Sequence, residues 1–379
     1  MKVGTLSLNI NTDDLNYGAI LHSWAFQQQL KKFEEVEKAE IIDYIPIGLE
    51  NFKKNAPVTS FMKMKRWRSA VKTFISRPQY MKRLKAFEDF TKNELDVSEC
   101  KYTQKSLESS EIGYDCLICE SDVIWSPRVF GGRFDRSFFL DLENMRDKKK
   151  IIYAASMANG MKKSQTEEFR KLVKAPDHIS CRESYAVNFV NKNTDRKAVQ
   201  VVDPVLLLDA KEYDCICAPR VIDEPYLLLY IPLDYNNKYQ VAAEKYAKKH
   251  GLKVVEISYY VWYGLKHKVI SSASVQEFLS LIKYADTVFT NSFHAVCFSL
   301  LFKKDFYAFE RTTGKKTEDI CRWTGLEERY MNVDNFSEKP PVDFEKAWEK
   351  IDEKKMSSLR WLSQSLGSRK YSEDNKKND

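Results

Sequence analysis

One rhythm constrains this chain most. A short apolar run, a polar loop and then apolar residues at helical spacing recur from Lys2 to Phe309. Residues 2–9 set Val3, Thr5 and Ser7 against Gly4, Leu6 and Leu8, the two-residue period of a strand. After a polar loop, Ile20, Leu21, Trp24, Ala25 and Leu30 fall near helical spacing, and residues 40–44 read as the next strand. That is a βαβ opening, and βαβ units build parallel sheets. Residues 114–119, 150–155, 178–181 and 199–202 continue the series. A polar stretch at 211–225, with Pro219 and Pro225, interrupts it. The rhythm then restarts with strands at 226–231, 252–257, 287–290 and 305–309. A second parallel sheet is therefore expected. The predicted organisation is an N-terminal domain over 1–222, carrying a basic helical insertion at 52–100, and a C-terminal domain over 223–340. A C-terminal helix is expected over 341–366 and a disordered tail over 367–379.

The length supports this division, since 379 residues exceed one domain of about 100–200 residues. Apolar residues at 43% and charged residues at 30% exclude wholesale disorder and collagen. No apolar run approaches the roughly 18 residues of a membrane span. The opening residues carry no basic segment followed by an apolar one, so a cytoplasmic location is expected. In that compartment the eight cysteines are expected as free thiols. Cys116 and Cys119 mimic a metal or redox pair but lie inside an apolar strand without a second such pair. No metal or cofactor is expected.

The net charge of +7 is unevenly spread. Residues 52–86 hold eleven Lys or Arg and no acid, interleaved with Trp67, Phe74 and Tyr80. Two readings stand: a peripheral contact with an anionic membrane surface, or the solvated face of a helical hairpin. Nucleic acid would use the same charge, but no recognised nucleic-acid motif accompanies it, and none is expected as a partner.

Five segments carry the functional signal: Asn16-Tyr17-Gly18-Ala19, Ser121-Asp122-Val123-Ile124-Trp125, Tyr153-Ala154-Ala155-Ser156, Arg182-Glu183-Ser184 and Thr290-Asn291-Ser292-Phe293-His294-Ala295. Each falls where a strand is expected to run into a loop or helix, the place where open α/β sheets bind ligands. In order and spacing the set resembles the polysaccharide pyruvyl transferase family, over roughly residues 1–335. The resemblance implies an α/β fold of two Rossmann-like domains facing a cleft, similar to GT-B glycosyltransferases. It also implies phosphoenolpyruvate as donor and a hydroxyl pair on a glycan or its lipid-linked precursor as acceptor, joined as a ketal.

That chemistry needs a proton donor and acceptor and a cradle for a polyanion. His294 is the expected catalytic acid/base, opening a helix beside Asn291 and Ser292, which are expected to assist donor binding. Its bland alternative is a helix-cap or core histidine. Arg182 and Arg311 are the expected donor-binding cations; Arg182 could instead pair with Glu183. Asn16, Tyr17, Gly18, Ser121, Asp122 and Ser156 are the expected cleft residues, with ordinary turns and caps as their alternatives. Two rival functions remain: a nucleotide-sugar transferase on the same fold, and a non-catalytic glycan-binding or assembly protein.

Overall fold

The computed structural model describes residues 1–11, 15–49, 76–158, 161–259, 267–312 and 315–368. Residues 52–75 of the basic stretch, most of the proposed membrane patch, lie outside these, as does the tail from 369 onward. The chain forms two compact units. One comprises residues 1–51, 91–208 and 349–379, the other residues 52–90 and 209–348.

The first unit is built on a seven-stranded, wholly parallel sheet. Its strands are β1 (Lys2–Leu6), β2 (Lys38–Ile45), β3 (Val97–Thr103), β4 (Cys116–Glu120), β5 (Lys149–Ala155), β6 (His178–Cys181) and β7 (Val199–Gln200). They lie in the order β3-β2-β1-β4-β5-β6-β7. Every residue of β4 is buried, because a central parallel strand is covered on both faces and cannot alternate. Cys116 and Cys119 are three apart on that strand, so they point to opposite faces and cannot share a ligand.

The helix Tyr17–Leu30 is buried almost all round, which draws polar residues inside with it. Gln27 answers this by donating to the carbonyls of Ala39 (3.0 Å) and Asp96 (2.8 Å), while the Asp96 amide donates back at 3.0 Å. The region expected to be a helical insertion is only partly helical. The helix Arg77–Glu94 forms, but the chain then re-enters the sheet as β3. Its residues, VSECKYT, are exposed or half-buried throughout, and an edge strand of this kind shows no apolar alternation to read.

The second unit repeats the plan with six parallel strands in the order β10-β9-β8-β11-β12-β13. These are β8 (Tyr226–Tyr230), β9 (Lys253–Ile257), β10 (Lys268–Ile270), β11 (Thr287–Thr290), β12 (Asp305–Phe309) and β13 (Tyr330–Met331). The helices Asn237–His250, Val275–Lys283 and Phe293–Leu301 connect them. Ser274 and Glu277 form a reciprocal cap on the second of these, fixing where it starts.

The C-terminal helix, Phe344–Leu366, is present, and the division between units falls inside it. Its later residues belong to the first unit. There Ser358 accepts from the Val202 amide at 3.0 Å and Trp361 packs against Tyr153. Among the described residues, no helix is long and apolar enough to cross a membrane.

Candidate functional site

Strand order reverses once in each sheet, between β1 and β4 in the first and between β8 and β11 in the second. Such switch points open a crevice at the carboxyl ends of the strands. The expected site residues divide between the two units.

In the first unit, Ser121 and Asp122 leave β4 with φ of 50° and 48°. Two successive non-glycine residues in the left-handed region are costly and must be held by their surroundings. The Ser121 amide donates to Tyr153 O at 2.8 Å, and the Ser156 amide donates to Asp122 O at 3.0 Å. The Ser121 hydroxyl donates to Asp203 at 3.0 Å and accepts from Arg182 at 3.2 Å. Ser156 is wholly buried, whereas Asp122 keeps 7% exposure. Asn16 caps the first helix, accepting from the amides of Gly18 (3.0 Å) and Ala19 (3.4 Å), and Tyr17 is buried.

Arg182 is 3% exposed and closed in by carboxylates. Its Nε donates to Glu183 at 2.9 Å, and an Nη donates to Asp203. Burial works against its charge, but Glu183, Asp203 and Asp122 outweigh that and hold it above the usual arginine range. Arg182 is thus ion-paired with both Glu183 and Asp203, the first of which is the pairing left open in the sequence.

A second buried pair underlies the same turn, and the sequence reading did not assign it. His22 Nδ1 donates to Glu120 at 2.8 Å with both side chains fully buried. Ser23 donates to the other Glu120 oxygen, and Asn9 donates to Ser23 at 2.9 Å. Burial alone would lower the His22 pKa, but the Glu120 carboxylate raises it above its ordinary value. Burial raises Glu120 as well, against the opposing pull of His22. Glu120, Asp122, Glu183 and Asp203 thus gather around Arg182 and His22. This edge is acidic and internally paired.

The second unit presents different chemistry. Thr290 ends β11, donating from Oγ1 to Tyr230 O at 2.6 Å and accepting from the Ser292 amide at 3.0 Å. Asn291 is fully buried and donates to Leu233 O. Ser292 caps the helix Phe293–Leu301, accepting from the Ala295 amide at 3.4 Å. His294 sits in the first turn, 6% exposed, with the Phe293 ring edge-on to its imidazole. Arg311, half-buried, follows β12. Its neighbour Thr312 donates to Asp234, beyond β8, from both its hydroxyl (2.8 Å) and its amide (3.2 Å). The structure thus places Asn291, Ser292 and His294 at one helix start beside the switch point, and Arg311 at the end of the neighbouring strand.

Arg83 belongs to this unit and was not singled out in the sequence. It is 3% exposed, with its guanidinium 4.5 Å from the centre of the Tyr259 ring just beyond β9. A signal for it existed. Arg83, Phe87 and Phe90 follow an i, i+4, i+7 pattern, and all three are buried, so a lone cation sits on an apolar stripe.

The model of the family described as polysaccharide pyruvyl transferase matches residues 16–312. No curated protein matches the chain. Among solved structures, a putative UDP-N-acetylglucosamine 2-epimerase from Listeria monocytogenes is similar at 10% identity and a TM-score of 0.50. The match covers 96% of this chain and 90% of that one. The UDP-GlcNAc 2-epimerase from Methanocaldococcus jannaschii is similar at 13% identity and a TM-score of 0.51, covering 93% of this chain and 92% of that one. At these identities the likeness concerns fold alone: a GT-B-like pair of parallel-sheet α/β units.

Proposed function

The chain belongs to the polysaccharide pyruvyl transferase family, and from that premise we propose that it transfers the enolpyruvyl unit of phosphoenolpyruvate to two hydroxyls of a glycan or lipid-linked acceptor. The donor's vinyl carbon gains a proton and becomes a methyl group. Its central carbon takes two sugar oxygens in place of the phosphate oxygen. The two hydroxyl protons are accounted for by the new methyl and by the released phosphate. The product is a pyruvate ketal.

The observation that carries this reading is His294, a nearly buried imidazole in the first turn of a helix beside the β8/β11 switch point. There it can give a proton to the vinyl carbon or take one from an attacking hydroxyl. The amides at the helix start and the half-buried Arg311 supply positive potential toward a phosphate or carboxylate. Within the first unit, Asp122, a carboxylate only 7% exposed on the strained turn, is suited to accept a hydrogen bond from a glycan hydroxyl. In this reading Ser121, Ser156 and Arg182 position that turn.

The test is phosphate release from phosphoenolpyruvate in the presence of candidate glycan acceptors, by wild type and by His294→Ala. Acceptor-dependent release that falls at least about 100-fold in the variant supports the proposal. Release at an equal rate by both, or none with a broad acceptor panel, rejects it.

A further inference from the structure

We propose that Arg83 is the central cation of an oxyanion site at the carboxyl edge of the second sheet, and that its ligand is a phosphate group. The assignment of that phosphate to the donor rests on the function proposed above; the oxyanion site does not.

The guanidinium is short of partners. Arg83 is 3% exposed, yet its one hydrogen bond among the described residues is Nη1 to Ser271 O at 3.5 Å, the outer limit of such a bond. Its Nε is buried with no hydrogen-bond partner. No Asp or Glu pairs with it among the described residues. Residues 51–87 around it in the chain, and 260–266 that follow Tyr259, contain no acid at all. Its remaining support is aromatic: the Tyr259 ring at 4.5 Å and the Tyr80 ring at 5.9 Å. Flat rings hold a guanidinium in place without neutralising it.

Other buried arginines show how unusual this is. Arg182 has two carboxylates. Arg329, fully buried, has Asp305 and the carbonyls of Phe306 and Pro340. A buried charge left without a counter-charge is expensive, and that cost is recovered when a dianion arrives. Arginine's planar set of five donors suits a phosphate in particular.

The position is also right for a ligand. Tyr259 and Ser271 lie just past the carboxyl ends of β9 and β10. The Tyr259 hydroxyl is 3.5 Å from that of Tyr230, the last residue of β8, whose carbonyl accepts from Thr290. His294 follows β11, two strands or about 10 Å along the same edge from β9. One small phosphorylated molecule can therefore meet both Arg83 and the His294 helix.

The experiment is calorimetric titration and thermal unfolding of wild type, Arg83→Met and Arg83→Lys. The probes are inorganic phosphate, phosphoenolpyruvate and geranyl diphosphate, the last standing for a lipid-linked diphosphate. Wild type is expected to bind at least one phosphate probe, with affinity falling about 10- to 100-fold in Arg83→Met and less in Arg83→Lys. Ligand-free Arg83→Met should melt no lower than wild type, because no ion pair has been broken. Wild type that binds none of the probes overturns the proposal. So does Arg83→Met that binds as wild type does, or one that melts several degrees lower with unchanged affinity. Binding of phosphoenolpyruvate that survives the substitution leaves the donor reading standing and removes Arg83 from it. Arg83-dependent binding of phosphate with no preference for phosphoenolpyruvate keeps the site and rejects that donor. Arg83-dependent preference for geranyl diphosphate keeps the site and assigns the phosphate to the acceptor.

Discussion

The two sheets share a strand order and differ in what they hold at their carboxyl edges. At the first, the two buried cations among the described site residues are answered: Arg182 by Glu183 and Asp203, and His22 by Glu120. At the second, Arg83 has no carboxylate among the described residues, and His294 stands in a helix's first turn. A network that satisfies itself makes a rigid floor, and its excess of carboxylates repels an anionic donor. In the proposed reading, an edge with uncompensated positive charge receives one. Equivalent topological positions then carry opposite electrostatic tasks, and proximity to a switch point does not by itself distinguish a binding group from a supporting one.

The contrast can be broken by substitution. The largest expected effect is on rate: His294→Ala should lower turnover by about 10²- to 10⁴-fold, read as phosphate release, with the melting temperature little changed. Next is stability. Arg182→Met leaves Glu183 and Asp203 buried without their cation and should cost about 3–5 kcal/mol in urea unfolding. If it instead abolishes phosphoenolpyruvate binding in a protein of normal stability, the two edges have been assigned the wrong way round.

A pH series sharpens the same point. His22 and Glu120 both hold protons more tightly in the folded chain than in the unfolded one. The stability from His22 is whole below its unfolded pKa of about 6.5 and is lost as pH rises through its raised folded value. Urea midpoints of wild type should therefore fall as pH rises above about 6.5, and those of His22→Gln should fall less. Equal slopes would remove the charged pair from the account. The smallest effect is local: Asn16→Ala removes a helix cap and should cost about 1 kcal/mol by the same measurement.

Much of this architecture is legible in the sequence because central parallel strands are buried on both faces. Residues 116–119, 226–230 and 287–290 read as strands for that reason. The missed elements are those without such a pattern. Strand β3 is a polar edge strand, and β10 has only three residues, none of them buried. The motif residues were legible as a set, since each segment lies at the end of a strand or in the connection that follows it. Their roles were not. The pairing of Arg182 with Asp203, 21 residues later, has no local pattern to mark it. His22 and Glu120 lie 98 residues apart, and nothing in either segment announces the other. Arg83 was hidden differently, as one of eleven basic residues in an acid-free stretch, although its spacing to Phe87 and Phe90 marks it as the one turned inward.

The most direct measurement is amide hydrogen exchange with and without phosphoenolpyruvate, resolved to the two sheet edges. The account predicts slowed exchange at 291–296, with weaker protection near 258–259 and 271. Protection confined to 121–124 and 182–184, with the second edge unchanged, would contradict it.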